Sequence, residues 1–289
     1  MQTRHLILVL IIMVLYGSSY PVGKLGIDTI PPLLFTSLRL GLIFLAFLPF
    51  FRLRLPERHL LKPLLGFSLA MGIGTYVTMY YALEQLSIVA PIIIGAQLSI
   101  PFGLILSLVF LKEKISFKRW VLIFLSFIGI VIIAYDPRII NDIFGFLLIM
   151  VMAFFYALSN LMARVLKEVD TATLNGWHGL IAFIPVAALT LVIEGNPLNY
   201  LMPVNSLAVF TVLHTALVVS VIGHAGMFYL YKFHPISNVL PFYSLFPIFG
   251  LIFAFILFNE TLSIHEIVGG FLILGSVFLI HKENKKNNS

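Results

Sequence analysis

Long apolar runs alternate with short polar breaks along the whole chain. They fall at roughly 6–25, 32–51, 63–83, 89–111, 118–135, 143–163, 172–193, 207–231, 236–258 and 265–281. A helix rises 1.5 Å per residue and needs about 20 apolar residues to cross the hydrocarbon of a bilayer. The pattern therefore predicts an all-α integral membrane protein of ten transmembrane helices. Spans five and ten are short, unbroken only over 120–135 and 267–280; such spans borrow flanking residues or sit in thinned bilayer. The runs are continuous rather than alternating, which excludes a β-barrel. The run from Leu6, behind Arg4 and His5, has no small-residue cleavage site and reads as a retained first span. The tail HKENKKNNS reads as too polar and too short to fold.

The chain also repeats itself. FGLILSLVFLKEKIS from Phe102 returns as FGLIFAFILFNETLS from Phe249, with six of fifteen positions identical. Tyr16, Ser19 and Lys24 match Tyr156, Ser159 and Arg164 at a constant offset of 140, and Asp28-Thr29 recurs as Asp170-Thr171. Two units of five spans follow, 1–138 and 139–289. Five is odd, so the second unit enters the membrane from the opposite side, as an inverted repeat.

Charge fixes the orientation. Cytoplasmic loops collect Lys and Arg. With both termini cytoplasmic, the inside segments hold Arg4, Arg52, Arg54, Arg58, Lys62, Lys112, Lys114, Lys118, Arg119, Arg164, Lys167, Lys232, Lys282, Lys285 and Lys286, which is 15 of the 18 basic residues. Arg138 is outside, and Lys24 and Arg39 lie within or at the end of spans. The repeat thus loses its lysines in the second copy because that loop faces outward. The chain is 60% hydrophobic and 10% charged, with a net charge of +6. That positive balance is a topology signal; nucleic-acid binding needs a basic patch on one folded face, and none is expected. There is no cysteine, hence no disulfide or thiolate metal site.

YGSSYPVGKLGI in the first span, IPPLLFTSLRLGL at the start of the second and the two copies of P…FGLI…E…S resemble the EamA family of the drug/metabolite transporter superfamily. IPPLLFTSLR and IIIGAQLSIPF are most similar to its O-acetylserine/cysteine exporter branch. The resemblance covers nearly the whole chain and implies export of amino acids or related metabolites from a bacterial inner membrane. The first span departs from the family pattern with Tyr16, where Trp is usual.

Candidate site residues follow from polarity inside the spans. Pro91 and Pro101 in span four correspond to Pro241 and Pro247 in span nine; matched helix breaks in inverted repeats line midplane cavities and act as gates, although prolines are also ordinary in membrane helices. Gln97 must find a partner or water. Arg39 costs at least about 2.5–3.5 kcal/mol inside a bilayer, so it either pairs with Asp28 or Glu84 as an anchor, or faces a cavity and attracts a substrate carboxylate. Tyr76 and Tyr80, one turn apart, share a face. Asn160, Trp177, His224, Tyr243, Ser244 and Ser19 complete the candidate lining; each can equally be a packing residue, as can His178 and His214.

Enzyme signatures fail. GSSYPVGK is one residue too long for a phosphate loop, HEIVG is not H-E-x-x-H, and G-x-S-x-G is absent. The chain carries no ATPase motif and calls for no cofactor. The expected partners are a small-molecule substrate and the lipid bilayer, for a monomer or homodimer powered by a gradient or by a partner and working by alternating access. The rivals are a lipid-modifying membrane enzyme, which would need a cluster of His, Asp or Glu at one surface, and a non-transporting scaffold.

Overall fold

A computed structural model describes residues 3–51, 53–112, 115–234 and 239–287, and within them not every side chain: those of His224, Pro241 and Ser244 lie outside the described residues. Among the described residues, eight helices are long and apolar enough to cross a membrane. They are α1 (Thr3–Ile27), α2 (Pro32–Phe51), α3 (Arg58–Gln85), α4 (Ala90–Phe110), α5 (Phe117–Ala134), α6 (Ile143–Val165), α7 (Thr171–Glu194) and α8 (Ser206–Gly223, prolonged by His224–Phe233). Two shorter apolar helices follow: α9 (Phe246–Phe258), led in by 3-10 turns over Leu240–Leu245, and α10 (Ile264–Asn287). No strand occurs among the described residues.

Local chemistry explains the helix starts. Ser116 accepts from the Arg119 N–H, Asp170 from Thr173, and Asn205 from Leu207 and Ala208. At α10, Ser263 and Glu266 cap each other reciprocally at 3.1 and 2.8 Å. The tail departs from expectation: helix continues through Asn287. Propagating an existing helix costs far less than nucleating one, and Lys and Glu are good helix formers.

The helices pack in pairs, α2 along α7, α5 along α10 and α1 along α9. In lipid such packing rests on close backbone approach at small residues. A Cβ on Gly17 would lie 2.7 Å from the Gly250 N, and one on Gly269 would sit against the Gly129 carbonyl. Both copies of the repeated phrase end alike, with Lys112 (φ 55) and Asn259 (φ 56) in the left-handed region 147 residues apart.

One end of the bundle is rich in acids. There Glu194 at the end of α7 accepts from the Leu33 and Leu34 N–H groups of α2, both at 2.8 Å. Glu260, between α9 and α10, accepts from Val89 and Ala90 at the start of α4, at 2.8 and 3.1 Å. Arg138 joins Asp136 at 2.8 Å, Glu266 at 2.5 Å and the Thr261 carbonyl at 2.9 Å. Asp142 receives the Ser87 N–H. At the opposite, base-rich end, Trp177 Nε1 donates to the Arg54 carbonyl at 2.8 Å and His5 Nδ1 lies 2.7 Å from His234 Nε2.

Three of the four singled-out prolines lie at helix starts, and Pro101 lies in the middle of α4, just after its 3-10 turn. Pro91, Pro241 and Pro247 occupy first turns, where a missing N–H forfeits no helical bond; Pro101 is the third residue of Ser99–Leu111. The irregular backbone comprises 3-10 turns at Ala96–Leu98 and at Leu240–Leu245, which includes Pro241, and proline-free π-helical stretches at Ala70–Val77, Thr190–Glu194 and His214–Gly223.

Candidate functional site

A central cavity with about 690 Å³ of unfilled space, its open mouth included, is lined by α1, α2, α3, α4, α6, α8 and the start of α9. Among the described residues its one charged lining residue is Arg39, which is 3% exposed. Arg39 Nη1 donates to the Tyr80 hydroxyl at 2.6 Å and Nη2 to Ser220 Oγ at 2.9 Å. The Cζ atom sits 4.0 Å from the centroid of the Tyr76 ring, a cation–π contact. Nε has no hydrogen-bond partner.

Two π-helical stretches build this arrangement. In α3 the wide turn carries Tyr76, and Thr75 Oγ1 reaches back five residues to the Ala70 carbonyl. In α8 the wide turn carries Ser220, whose Oγ reaches the Thr215 carbonyl, again five residues back. Each turn shifts the helix face by part of a residue step, which turns Tyr76 and Ser220 onto the same guanidinium. π-helical backbone is rare in proteins and is frequent at functional sites.

Around Arg39 the wall is aromatic and soft. Tyr16 packs against Tyr243 with ring centroids 5.7 Å apart, and Tyr20 stacks on Phe246 at 6.3 Å. Met71, Met79 and Met152 supply flexible thioethers. Ser19, Thr75 and Tyr156 add hydroxyls.

The cavity thus gathers Arg39, Tyr76, Tyr243 and Ser19 from the sequence candidates, with Tyr80 immediately behind as a ligand of Arg39 and fully buried. Others fall elsewhere. Asn160 is exposed on α6. Trp177 is tied to Arg54 at the base-rich end, beside a small cluster around Leu60, Leu64, Leu166 and Leu174. Gln97 is buried on α4 but off the cavity wall, which its neighbour Ala96 joins. His178 packs against Phe67 and Tyr76, and His214 Nε2 lies 3.4 Å from Ser18 Oγ. The expected anchors of Arg39 do not reach it: Asp28 pairs with Lys24 at 3.3 Å and Glu84 is exposed. Ser220, Tyr20, Thr75 and the methionines escaped sequence reasoning. Tyr156 carried a usable signal, since it is the repeat mate of Tyr16 and both line the cavity.

Among the described residues no cluster of His, Asp or Glu could hold a metal ion. The arrangement can hold a small anionic group against Arg39 and an apolar body against rings and thioethers. That is recognition chemistry, with no positioned nucleophile or general base.

Comparison with known proteins agrees. The model of the EamA-like transporter family matches residues 3–135 and again 143–281. A "Probable amino-acid metabolite efflux pump" of Escherichia coli (strain K12) is 24% identical over 289 residues, covering 96% of this chain and 95% of the other. A protein of the same description from Salmonella typhimurium is 25% identical, with the same coverage. The "Uncharacterized transporter YoaV" of Bacillus subtilis is 23% identical over 92% of each chain. One crystal structure of a protein superposes with a TM-score of 0.63 over 100% of both chains at 15% identity, a likeness that shows the fold. The chain is a multi-pass membrane transporter, not an enzyme, and it belongs to the EamA-like transporter family.

Proposed function

We propose that this protein is a secondary transporter that exports small polar metabolites, amino acids or their derivatives, across the bacterial inner membrane by alternating access. The observation that carries the reading is Arg39: a guanidinium 3% exposed, facing a central cavity, with hydroxyls and a ring as partners and no carboxylate within 4.0 Å among the described residues. A lone buried cation is costly, and the cost is offset when a substrate carboxylate arrives. The printed description of the Escherichia coli and Salmonella relatives supports the substrate class and direction.

In this reading all ten apolar helices cross the bilayer, as inverted units 1–138 and 139–289 with both termini cytoplasmic. The two shorter helices are supported by matched geometry: their repeat partners carry the same serine cap and left-handed ending. The cavity lining starts about 10 Å below the acid-rich helix ends, counting seven residues from Ile27 to Tyr20 and from Pro32 to Arg39 at 1.5 Å each. It continues to Tyr243, at the base-rich start of the α9 segment. This favours an inward-facing state, closed on the outside by the Glu194, Glu260 and Arg138 contacts. The matched 3-10 turns, together with Pro91, Pro101, Pro241 and Pro247, would gate by bending α4 and α9. A monomer or homodimer suffices, and lipid and substrate are its only required partners.

The test is counterflow in liposomes holding the purified protein and a labelled panel that includes cysteine and O-acetylserine, with and without a pH gradient. Saturable exchange of one amino-acid class is expected. No movement of any member, with folded protein in the bilayer, would overturn the assignment.

A further inference from the structure

The charge inventory of the cavity goes beyond its role as a transport site, on which this inference rests. Arg39 supplies a fixed positive charge, and among the described residues no carboxylate lines the wall. The acids nearest in the fold are committed at the acid-rich end: Glu194 to α2, Glu260 to α4, Asp136 and Glu266 to Arg138, and Asp28 to Lys24. An α-amino acid would bring its carboxylate to Arg39 but also an ammonium group that must leave water. Aromatic faces are the usual substitute for an acid. Three of the lining rings already have a neighbour against them: Tyr76 the Arg39 guanidinium, Tyr16 the Tyr243 ring, and Tyr20 the Phe246 ring.

We infer that the cavity selects monoanions, carboxylates bearing an apolar or thioether body and no charged amine, over zwitterionic amino acids and over cations. A monoanion neutralises Arg39, engages N–H donors that the hydroxyl partners leave open, and gives its body to Met71, Met79 and Met152. A zwitterion leaves the cavity with the same net charge and one unpaired ammonium. Amino acids whose amine is acylated, or whose carbon skeleton has lost it, have the required form.

The experiment measures binding to the full chain in lipid nanodiscs, so that passive leak of weak acids does not enter. Two matched sets are titrated at pH 7: 3-phenylpropanoate, phenylalanine and 2-phenylethylamine; and 4-(methylthio)butanoate, methionine and 3-(methylthio)propylamine. The anions are expected to bind about tenfold more tightly than the zwitterions, and the amines not to bind. Arg39→Gln should reduce anion binding to the level of the zwitterions. If phenylalanine and methionine bind as tightly as the anions or more tightly, and depend on Arg39, the charge selection is wrong while the transport site stands. If nothing binds and no panel member shows counterflow, the transport-site reading falls with it. The wild-type comparison decides the question even if Arg39→Gln does not fold.

Discussion

The repeated phrase ends in a serine-capped helix at each end of the bundle, and the two copies differ in the third residue after the cap. At the acid-rich end Ser263 is followed by Glu266, which caps Ser263 in return and also holds Arg138. At the base-rich end Ser116 is followed by Arg119. A positive side chain in the first turn opposes the helix dipole by roughly 0.3–1 kcal/mol, so local helix chemistry alone would never choose it. In the proposed topology Arg119 faces the cytoplasm, and the positive-inside demand overrides the local preference. The same contrast runs through both ends. Carboxylates knit α2, α4, α7, α9 and α10 together on one side, whereas the contacts on the other include a Trp–carbonyl bond and a His pair.

The largest effect comes from removing the charge between the ends. Arg39→Ala should lower counterflow by roughly ten- to a hundredfold, the loss of a charged hydrogen-bonded contact of about 1.5–3 kcal/mol, with membrane insertion unchanged. A collapse of expression instead would make Arg39 a structural anchor. Next comes the clasp on α4. Glu260→Ala leaves the Val89 and Ala90 N–H groups without their acceptor and should cost about 1–3 kcal/mol, read as faster hydrogen exchange at the start of α4. Glu194→Ala should do the same at Leu33 and Leu34. At the opposite end Trp177→Phe removes the bond to the Arg54 carbonyl, worth about 1 kcal/mol, and should leave the exchange of α2 and α4 starts unaltered.

The smallest effect is on pH dependence, and it has opposite signs for two acids of the same end. The Arg138 side chain holds the Asp136 carboxyl well below the usual range, so the stability from Asp136 is full above that range and is lost only as pH falls through the lowered value. Burial lifts the Glu260 carboxyl despite hydrogen bonds from Val89 and Ala90. Its contribution is therefore full below the ordinary carboxylate value and declines as pH rises through the lifted one. Acidification through that window should raise the melting temperature slightly in the wild type and by less in Glu260→Gln.

Sequence patterning made the helices legible because lipid tolerates only self-satisfied backbone, so every span must read as an apolar run. Arg39 was legible for the same reason: a charge in such a run cannot be incidental. Tyr76 and Tyr80 were legible from helical spacing, and Tyr156 from its repeat mate. Asn160 and Trp177 misled because polarity says that a side chain needs a partner without saying where the partner is: Asn160 is exposed, and Trp177 found a carbonyl on the neighbouring loop. Ser220 and Thr75 were hidden because π-helical turns set their direction, and no residue in Ala70–Val77 or His214–Gly223 marks such a turn in advance.

The most direct test of the difference between the ends is one-sided labelling. The chain has no cysteine, so a single Ser19→Cys in the cavity wall reports alone. In sealed vesicles a membrane-impermeant maleimide is applied from each side, with His59→Cys marking the base-rich face and Glu84→Cys the acid-rich face. The account predicts that, without substrate, Ser19→Cys reacts from the side that labels His59→Cys. Reaction from the side that labels Glu84→Cys would contradict it.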